Sequence, residues 1–212
     1  MNPGYLSLLL MVVALILFAS GWKDIIVRGI TSKVILLFFV CWLVASQLTV
    51  PAAGGRVNLC VAVLLVFAAY TLWTMRGFVY RLHMLSVGAL LGSLCFFMQE
   101  TIHLIPALFL GGTEVSIALI IGLLASVLIQ IPSVQLAALS IGLLLAELYR
   151  GYLHQDYAGL QIGYQSFQDR WWLTVFMSRS LSLITGFGLL ACKKSVNWMT
   201  EGIKRRGGGD SE

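Results

Sequence analysis

Apolar residues occur in long blocks that short polar segments separate. Each block is roughly 17 to 22 residues long, the length that a helix needs to cross a bilayer core of about 30 Å. A membrane β-barrel would instead alternate apolar and polar residues over strands of about ten residues. The seven blocks cover about residues 4–20, 34–50, 57–75, 82–98, 115–130, 134–149 and 171–192. The pattern predicts an all-α fold, a polytopic transmembrane bundle of about seven spans.

The polar segments between the blocks contain residues that predict the structure of the connections. Pro51 and Gly54 predict a tight turn after the second block. Residues 99–114 lack Lys and Arg but contain a short apolar run, so this segment either dips into the interface as a re-entrant piece or stays outside. Aromatic residues in segment 150–170 suit an amphipathic helix at the headgroup level, with an aromatic loop as the alternative. Trp171 and Trp172 then predict an interfacial anchor at the start of the last span.

Composition excludes a soluble globular protein. Hydrophobic residues make up 59% of the chain and charged residues 11%, whereas soluble domains carry about 25% charge. Mean hydropathy is +0.91. We therefore expect one transmembrane domain over residues 1–192 and a basic, glycine-rich cytoplasmic tail over 193–212 that is disordered.

Basic residues predict the orientation in the membrane. With the N-terminus outside, ten Lys and Arg residues fall on the inner side and three on the outer side. Such a bias follows the positive-inside rule and predicts an external N-terminus and a cytoplasmic C-terminus. It also explains the net charge of +5 without a nucleic-acid partner. The expected surroundings are the lipid bilayer, with other membrane proteins or further copies of the chain as partners.

Small residues at four-residue spacing predict faces where helices pack closely. A residue without a large side chain lets the neighbouring backbone approach, and G-x-x-x-G is the best known example. One such frame lies in the fourth block, a second in the fifth, and a third in the last block. The predicted packing positions are Gly88, Gly92, Gly122, Ser182 and Gly186.

Arg179 lies well inside the last apolar block. A guanidinium stays charged and costs at least about 2.5 kcal/mol at the bilayer centre, so it should face the bundle. Glu147, near the end of the preceding block, is the expected partner. We predict an intramembrane ion pair or polar site of Glu147 and Arg179, with a structural lock between two helices and a solute or proton site as the two interpretations.

A second polar group is expected on the outer side. Glu100, His103, Glu114 and His154 fall there in the predicted topology. Glu100 and His103 have the i, i+3 spacing by which a helix supplies two metal ligands, but di-metal bundles need that motif twice. We therefore predict a polar cluster and no metal site.

Motifs of catalysis are absent from the sequence. It has no P-loop, G-x-G-x-x-G or H-E-x-x-H motif, and no Ser, His and Asp in the order of a known hydrolase. Its four cysteines lie in or at the ends of apolar blocks without C-x-x-C spacing, which is typical of small buried apolar residues. We expect no enzyme and no cofactor.

The chain resembles the YphA-like family of small polytopic membrane proteins from endospore-forming Gram-positive bacteria. The resemblance rests on length, on the order of the blocks, on the stretch from Cys95 to Glu100, and on Glu147 with Tyr149 before an aromatic loop. It implies a sporulation-associated protein of the cell membrane, in the forespore or the mother cell, without enzymatic activity. It supplies no catalytic residues.

These observations predict a structural or assembly factor of the cell membrane. The alternative is a small-solute or ion transporter with its polar site at the outer ends of helices 4, 6 and 7. Against transport, the sequence has no evident internal repeat and its prolines lie in loops or at segment ends.

Overall fold

A computed structural model describes residues 3–22, 27, 31–52, 55–75, 77–101, 112–154 and 160–207. Within these ranges the chain forms seven helices and one small sheet. The helices are α1 Tyr5–Ala19, α2 Ser32–Gln47, α3 Cys60–Thr74, α4 Phe78–Thr101, α5 Thr113–Leu128, α6 Pro132–Leu153 and α7 Gln165–Gly207. The strands are β1 Thr49–Ala52, β2 Gly55–Asn58 and β3 Leu160–Ile162. The predicted all-α class is confirmed.

Successive helices run in alternating directions, so the bundle has two distinct ends. We call the end that contains the strands, the start of α1 and the start of α7 the sheet end. The ends of α4 and α6 and the start of α5 lie there too, because their side chains contact the start of α7. The main packing pairs are α4 with α6, α5 with α7, α1 with α7 and α3 with α6.

Two of the described helices are long and apolar enough to cross a membrane. They are α4, with 24 residues, and α6, with 22 residues, which correspond to about 36 and 33 Å. Four further helices, α1, α2, α3 and α5, are apolar but have only 15 or 16 residues. The central α6 is the more deeply buried of the two long helices, with 61% of its apolar window inside the protein.

The sheet corrects two predictions about the connections. Strands β1 and β2 pair antiparallel from Thr49 opposite Asn58 to Ala52 opposite Gly55, where we expected the second and third spans to continue to Val50 and from Val57. Strand β3 pairs parallel with β2, where we expected an amphipathic helix or an aromatic loop. Gly163, at φ +78°, separates β3 from α7 in a conformation that glycine adopts at little cost.

The last helix begins earlier and ends later than predicted. It starts at Gln165, so Trp171 and Trp172 lie two turns inside it and are buried. Trp171 stacks on Trp42 with ring centroids 4.9 Å apart, and its indole nitrogen donates to Ser140 Oγ at 3.2 Å. The pair is therefore part of the core and not an interfacial anchor. At the other end the backbone is helical through residues 193–207, where we expected a disordered tail.

Glycines bring α4 and α6 into backbone contact. A Cβ atom on Gly92 would lie 2.6 Å from the Gly142 carbonyl oxygen, and one on Gly142 would lie 2.8 Å from the Gly88 carbonyl oxygen. Gly122 on α5 packs in the same manner on Ser178 of α7, with a built Cβ 3.0 Å from the Ser178 nitrogen. Gly142 was not among the expected packing positions.

The packing face predicted in the middle of α7 does not form the close helix contact seen at the glycines of α4, α5 and α6. Gly186 is exposed, and a Cβ built there has no described atom of another helix within 4 Å. Ser182 is half-buried and its hydroxyl lies 3.4 Å from Arg179 Nη1. Of the two packing positions predicted on α7, Ser182 therefore contacts Arg179 of its own helix, and Gly186 contacts no neighbouring helix among the described residues.

Gly92 contacts the backbone of a neighbouring helix and Gly186 does not, so we expect an added methyl group to have different effects at the two positions. Gly92→Ala should lower the free energy of unfolding by roughly 1–3 kcal/mol, because a Cβ there overlaps the backbone of α6. Gly186→Ala should leave it unchanged or raise it by up to about 1 kcal/mol through helix propensity. Thermal unfolding of the two purified variants in detergent measures this difference. Equal loss in both variants would contradict the packing.

Candidate functional site

Arg170 is the centre of a polar site at the sheet end. It lies in the second turn of α7, and its side chain is only 4% exposed. Its Nε donates to Glu114 Oε2 at 2.8 Å and its Nη2 to Glu114 Oε1 at 3.0 Å. Its Nη1 donates to Gln99 Oε1 at 3.0 Å. The two parallel bonds to one carboxylate form the bidentate geometry that is strongest between arginine and an acid.

Glu147 completes the set of charges around Arg170. Its Oε2 lies 3.6 Å from Arg170 Nη1, and its side chain is 12% exposed. Gln99, Glu114 and Glu147 belong to α4, α5 and α6, so one guanidinium joins three helix ends to α7. Removing one partner of such a buried pair typically costs about 3–5 kcal/mol, because the remaining charge loses its compensation.

Gln99 links the buried site to the surface. Its Oε1 also lies 3.5 Å from Arg150 Nη1 on exposed α6 surface, and its Nε2 donates to Cys95 Sγ at 3.0 Å. Both polar atoms of this half-buried amide are therefore engaged. A neutral amide between two arginines accepts from both without adding a charge to the site.

Asp169, the residue before Arg170, caps the first helix. Its Oδ2 accepts from the Gly4 nitrogen at 2.7 Å and its Oδ1 from the Ser7 nitrogen at 2.6 Å. A carboxylate at a helix N-terminus satisfies free backbone N–H groups and interacts favourably with the helix dipole. Gly4 has φ +91°, a conformation that glycine adopts at little cost. Asp169 and Arg170 together thus connect α7 to four other helices.

The predicted outer cluster divides into two contacts. Glu100 Oε1 lies 3.1 Å from His154 Nε2, and both side chains are partly exposed. Glu114, which is 52% exposed, binds Arg170 instead. His103 and the question of a re-entrant segment within 99–114 lie outside the described residues. Among the residues that the structure describes, no group of three His, Cys, Asp or Glu side chains has the geometry of a metal site.

Arg179 has a different partner from the one predicted. It is 6% exposed, and its Nη1 donates to Gln135 Oε1 at 2.7 Å. Gln135 lies on α6 twelve residues before Glu147, which separates the two side chains by about 18 Å along the helix. The predicted Glu147 and Arg179 pair is therefore wrong, because α7 starts six residues earlier than expected and brings Arg170 to the level of Glu147.

Sequence reasoning missed Arg170, Asp169 and Gln99 as site residues. All three were assigned to loops, because hydropathy falls at both block edges. One signal was available: Gln165 to Arg170 contains no glycine or proline, so the helix of the last block can extend backward through it. On that helix Arg170 lies one residue before the apolar block and faces the bundle.

Comparison with protein-family models, with curated proteins and with solved structures finds no match for this chain.

A double-mutant cycle tests which arginine is coupled to Glu147. Glu147→Gln combined with Arg170→Gln should show a coupling energy of roughly 0.5–3 kcal/mol in unfolding experiments, because the two groups are in contact. The matched cycle with Arg179→Gln should be additive within about 0.5 kcal/mol, since that arginine is far from Glu147. Coupling in the second cycle and none in the first would contradict the assignment.

Proposed function

We propose that the protein is a seven-span membrane protein that acts as a structural or assembly factor. In this proposal the N-terminus is outside and the C-terminus is cytoplasmic, so the sheet end faces outward. The protein works through the shape and contacts of its helices and not through a chemical reaction. The observation that carries the proposal is the arrangement of Arg170, whose donors are directed at side chains of its own bundle.

The outer surface of the helices supports a membrane location. Large apolar side chains are exposed on α2, on α3 and on α5, where a soluble protein would carry charge. Examples are Leu36, Leu37, Val40, Val66 and Val127. The shorter helices are compatible with a span, because a short hydrophobic stretch is accommodated by local thinning of the bilayer.

The burial of the polar site supports a structural role. A solute site needs polar groups that line a path open to water, whereas Arg170 is 4% exposed and engages Glu114 and Gln99 at 2.8 to 3.0 Å. Hydrogen bonds of this kind fix the relative positions of helices in a membrane, where lipid offers no alternative partner. A rigid, correctly assembled sheet end is what these contacts provide.

The resemblance to the YphA-like family suggests where and when the protein acts. It suggests that the protein acts in the membrane of the cell or the forespore during spore formation. Expression from a promoter active only in sporulating cells, together with a spore defect in a deletion strain, is the expected result. Constitutive expression and normal spores would remove the sporulation part of the proposal.

The second candidate is a small-solute or ion carrier with its site at the outer ends of α4, α6 and α7. One observation favours it. Glu100 and His154 form an exposed contact of 3.1 Å at the ends of α4 and α6, and Glu114, at the start of α5, is 52% exposed. A cation arriving from outside can reach these carboxylates.

The proposed topology predicts opposite locations for the chain ends. A tag at the N-terminus should react with a membrane-impermeant reagent in intact cells, and a tag at the C-terminus should react only after permeabilisation. Both tagged proteins should remain in the membrane fraction after alkaline carbonate extraction. Two ends that react from the same side would contradict seven spans.

Charge reversal separates the structural and the carrier proposals. Glu114→Arg and Arg170→Glu should each reduce accumulation of the protein strongly, because the first places two arginines side by side and the second places three carboxylates together. The double exchange should restore part of the accumulation, because opposite charges face each other again at positions 114 and 170 while Glu147 stays close to position 170. Glu100→Arg is the matched control and should accumulate normally, since its partner His154 is exposed. Normal accumulation of the single variants with loss of a solute flux in proteoliposomes would favour the carrier.

A further inference from the structure

An apolar cavity lies between α1, α2 and α7. Its volume is about 270 Å³, and its wall follows α7 from Trp171 to Leu183, a rise of about 18 Å. The rest of the wall is mainly aromatic and aliphatic, with Ala14 of α1 and Phe38 of α2 as examples. An apolar cavity of about 150 Å³ stays dry and binds a molecule the size of benzene. The present cavity therefore has room for a larger apolar molecule that contains a ring.

Trp172 brings a hydrogen-bond donor to this cavity. It lies in the wall and is 5% exposed, and its indole nitrogen has no acceptor among the described residues. The neighbouring Trp171 differs, because its indole nitrogen donates to Ser140 Oγ at 3.2 Å. A buried N–H group without an acceptor costs about 1–3 kcal/mol, so buried donors are nearly always paired. An acceptor oxygen on a bound molecule would pair the Trp172 nitrogen.

The charge in the wall is already engaged by the protein. Arg179 is the charged residue among those that line the cavity. Its Nη1 donates to Gln135 Oε1 at 2.7 Å, and the residue has a further interaction besides its contacts with Gln135 and Ser182. We therefore assign Arg179 no part in binding, and the apolar remainder of the wall favours a neutral molecule.

Trp172 lies toward the closed side of the cavity. At the sheet end α7 is joined to α1, because Asp169 accepts hydrogen bonds from two backbone N–H groups at the start of α1. Away from the sheet end the wall contains Trp22 and Phe176, and both side chains are exposed. A molecule that enters from the exposed side therefore reaches Trp172 with its leading end.

This arrangement distinguishes between the apolar molecules of a membrane. A phospholipid would enter with the end of an acyl chain, which has no acceptor, while its ester and phosphate oxygens stay in the polar layer of the bilayer. A fatty acid carries its acceptor as a charge, which is costly to bury without a partner. A membrane-soluble quinone is neutral and has carbonyl oxygens on a planar ring, and aromatic side chains pack well on such a ring.

We propose that this cavity binds the ring of a membrane-soluble quinone, with one ring carbonyl oxygen accepting a hydrogen bond from the Trp172 indole nitrogen. The apolar tail of the quinone extends along the wall toward Trp22. Phe39 stacks on Trp172 with ring centroids 5.9 Å apart, which holds the indole in place. The inference rests on the proposed membrane location, because such quinones are dissolved in lipid. It concerns binding and assigns no electron transfer to the protein.

Two probes with the same ring skeleton test the hydrogen bond. Menadione is a methylated naphthoquinone with two ring carbonyl oxygens, and methylnaphthalene has none. Each probe is dialysed against the full-length protein in detergent, with protein-free micelles as the blank, and the bound amount is measured by chromatography. Trp172→Phe should weaken menadione binding by roughly threefold to tenfold, the effect of one hydrogen bond. It should leave methylnaphthalene binding unchanged.

A matched tryptophan serves as the control for this substitution. Trp73 is exposed and lies outside the cavity, so Trp73→Phe should change the binding of neither probe. Equal effects of Trp172→Phe on both probes, or no effect on menadione, would overturn the proposal. The same results are expected if the indole N–H of Trp172 is directed at the perpendicular ring of Trp171.

Filling variants locate the bound ring and leave Trp172 in place. Val175→Phe should reduce binding of menadione and of methylnaphthalene alike by severalfold, because the added ring occupies the cavity. Val127→Phe, on the exposed surface of α5, should change neither. Ala14→Leu is a second filling variant in case Val175→Phe does not fold. Equal effects at positions 175 and 127 would overturn the assignment to this cavity.

A separate measurement keeps these tests independent of the proposed function. Carbonate extraction of the wild type shows whether the protein is integral to the membrane. Failure there would end the proposed membrane function. Retention in the membrane without binding that depends on the carbonyl oxygens would end only the proposal for the cavity.

Discussion

The burial of the Arg170 charge is the constraint on which the sheet end of the bundle depends. A guanidinium cannot lose its proton, and leaving it uncompensated at 4% exposure costs several kcal/mol. It is compensated only when the ends of α4, α5 and α6 bring Gln99, Glu114 and Glu147 to it at the same time. Asp169 beside it connects α1 through two backbone N–H groups. Two consecutive residues of α7 therefore determine how five helices meet.

Close packing of backbones provides the complementary interaction in the middle of the bundle. Where the residues at a helix contact have no large side chains, two helix backbones approach closely and associate through van der Waals contact. Gly88, Gly92 and Gly142 allow α4 and α6 to touch along their backbones. The polar contacts at the sheet end then select one register of these helices, since a shift of one turn would remove Glu147 from Arg170.

The helices could be predicted from the sequence, but several of their ends and partners could not. Apolar blocks locate the helices because the hydrophobic segments are long, while the strands around Val50 and Val57 remained hidden in equally apolar sequence. The burial of Arg179 was predicted from its charge alone, and one of its contacts is Gln135, an amide that charge pairing does not suggest. Glu147 was selected for its depth in α6. Its partner was missed because Trp171 and Trp172 resemble an interfacial pair and α7 therefore seemed to start after Arg170.

The two buried arginines of α7 have separate roles in this account. Arg170 joins helix ends through carboxylates, and Arg179 donates to Gln135 near the opposite end of the bundle. The most direct test is a solid-state NMR distance measurement in lipid bilayers between arginine guanidinium nitrogens and glutamate carboxyl carbons. The account predicts a short contact to a carboxyl group that disappears in Arg170→Lys and persists in Arg179→Lys. A contact that disappears only in Arg179→Lys would contradict it.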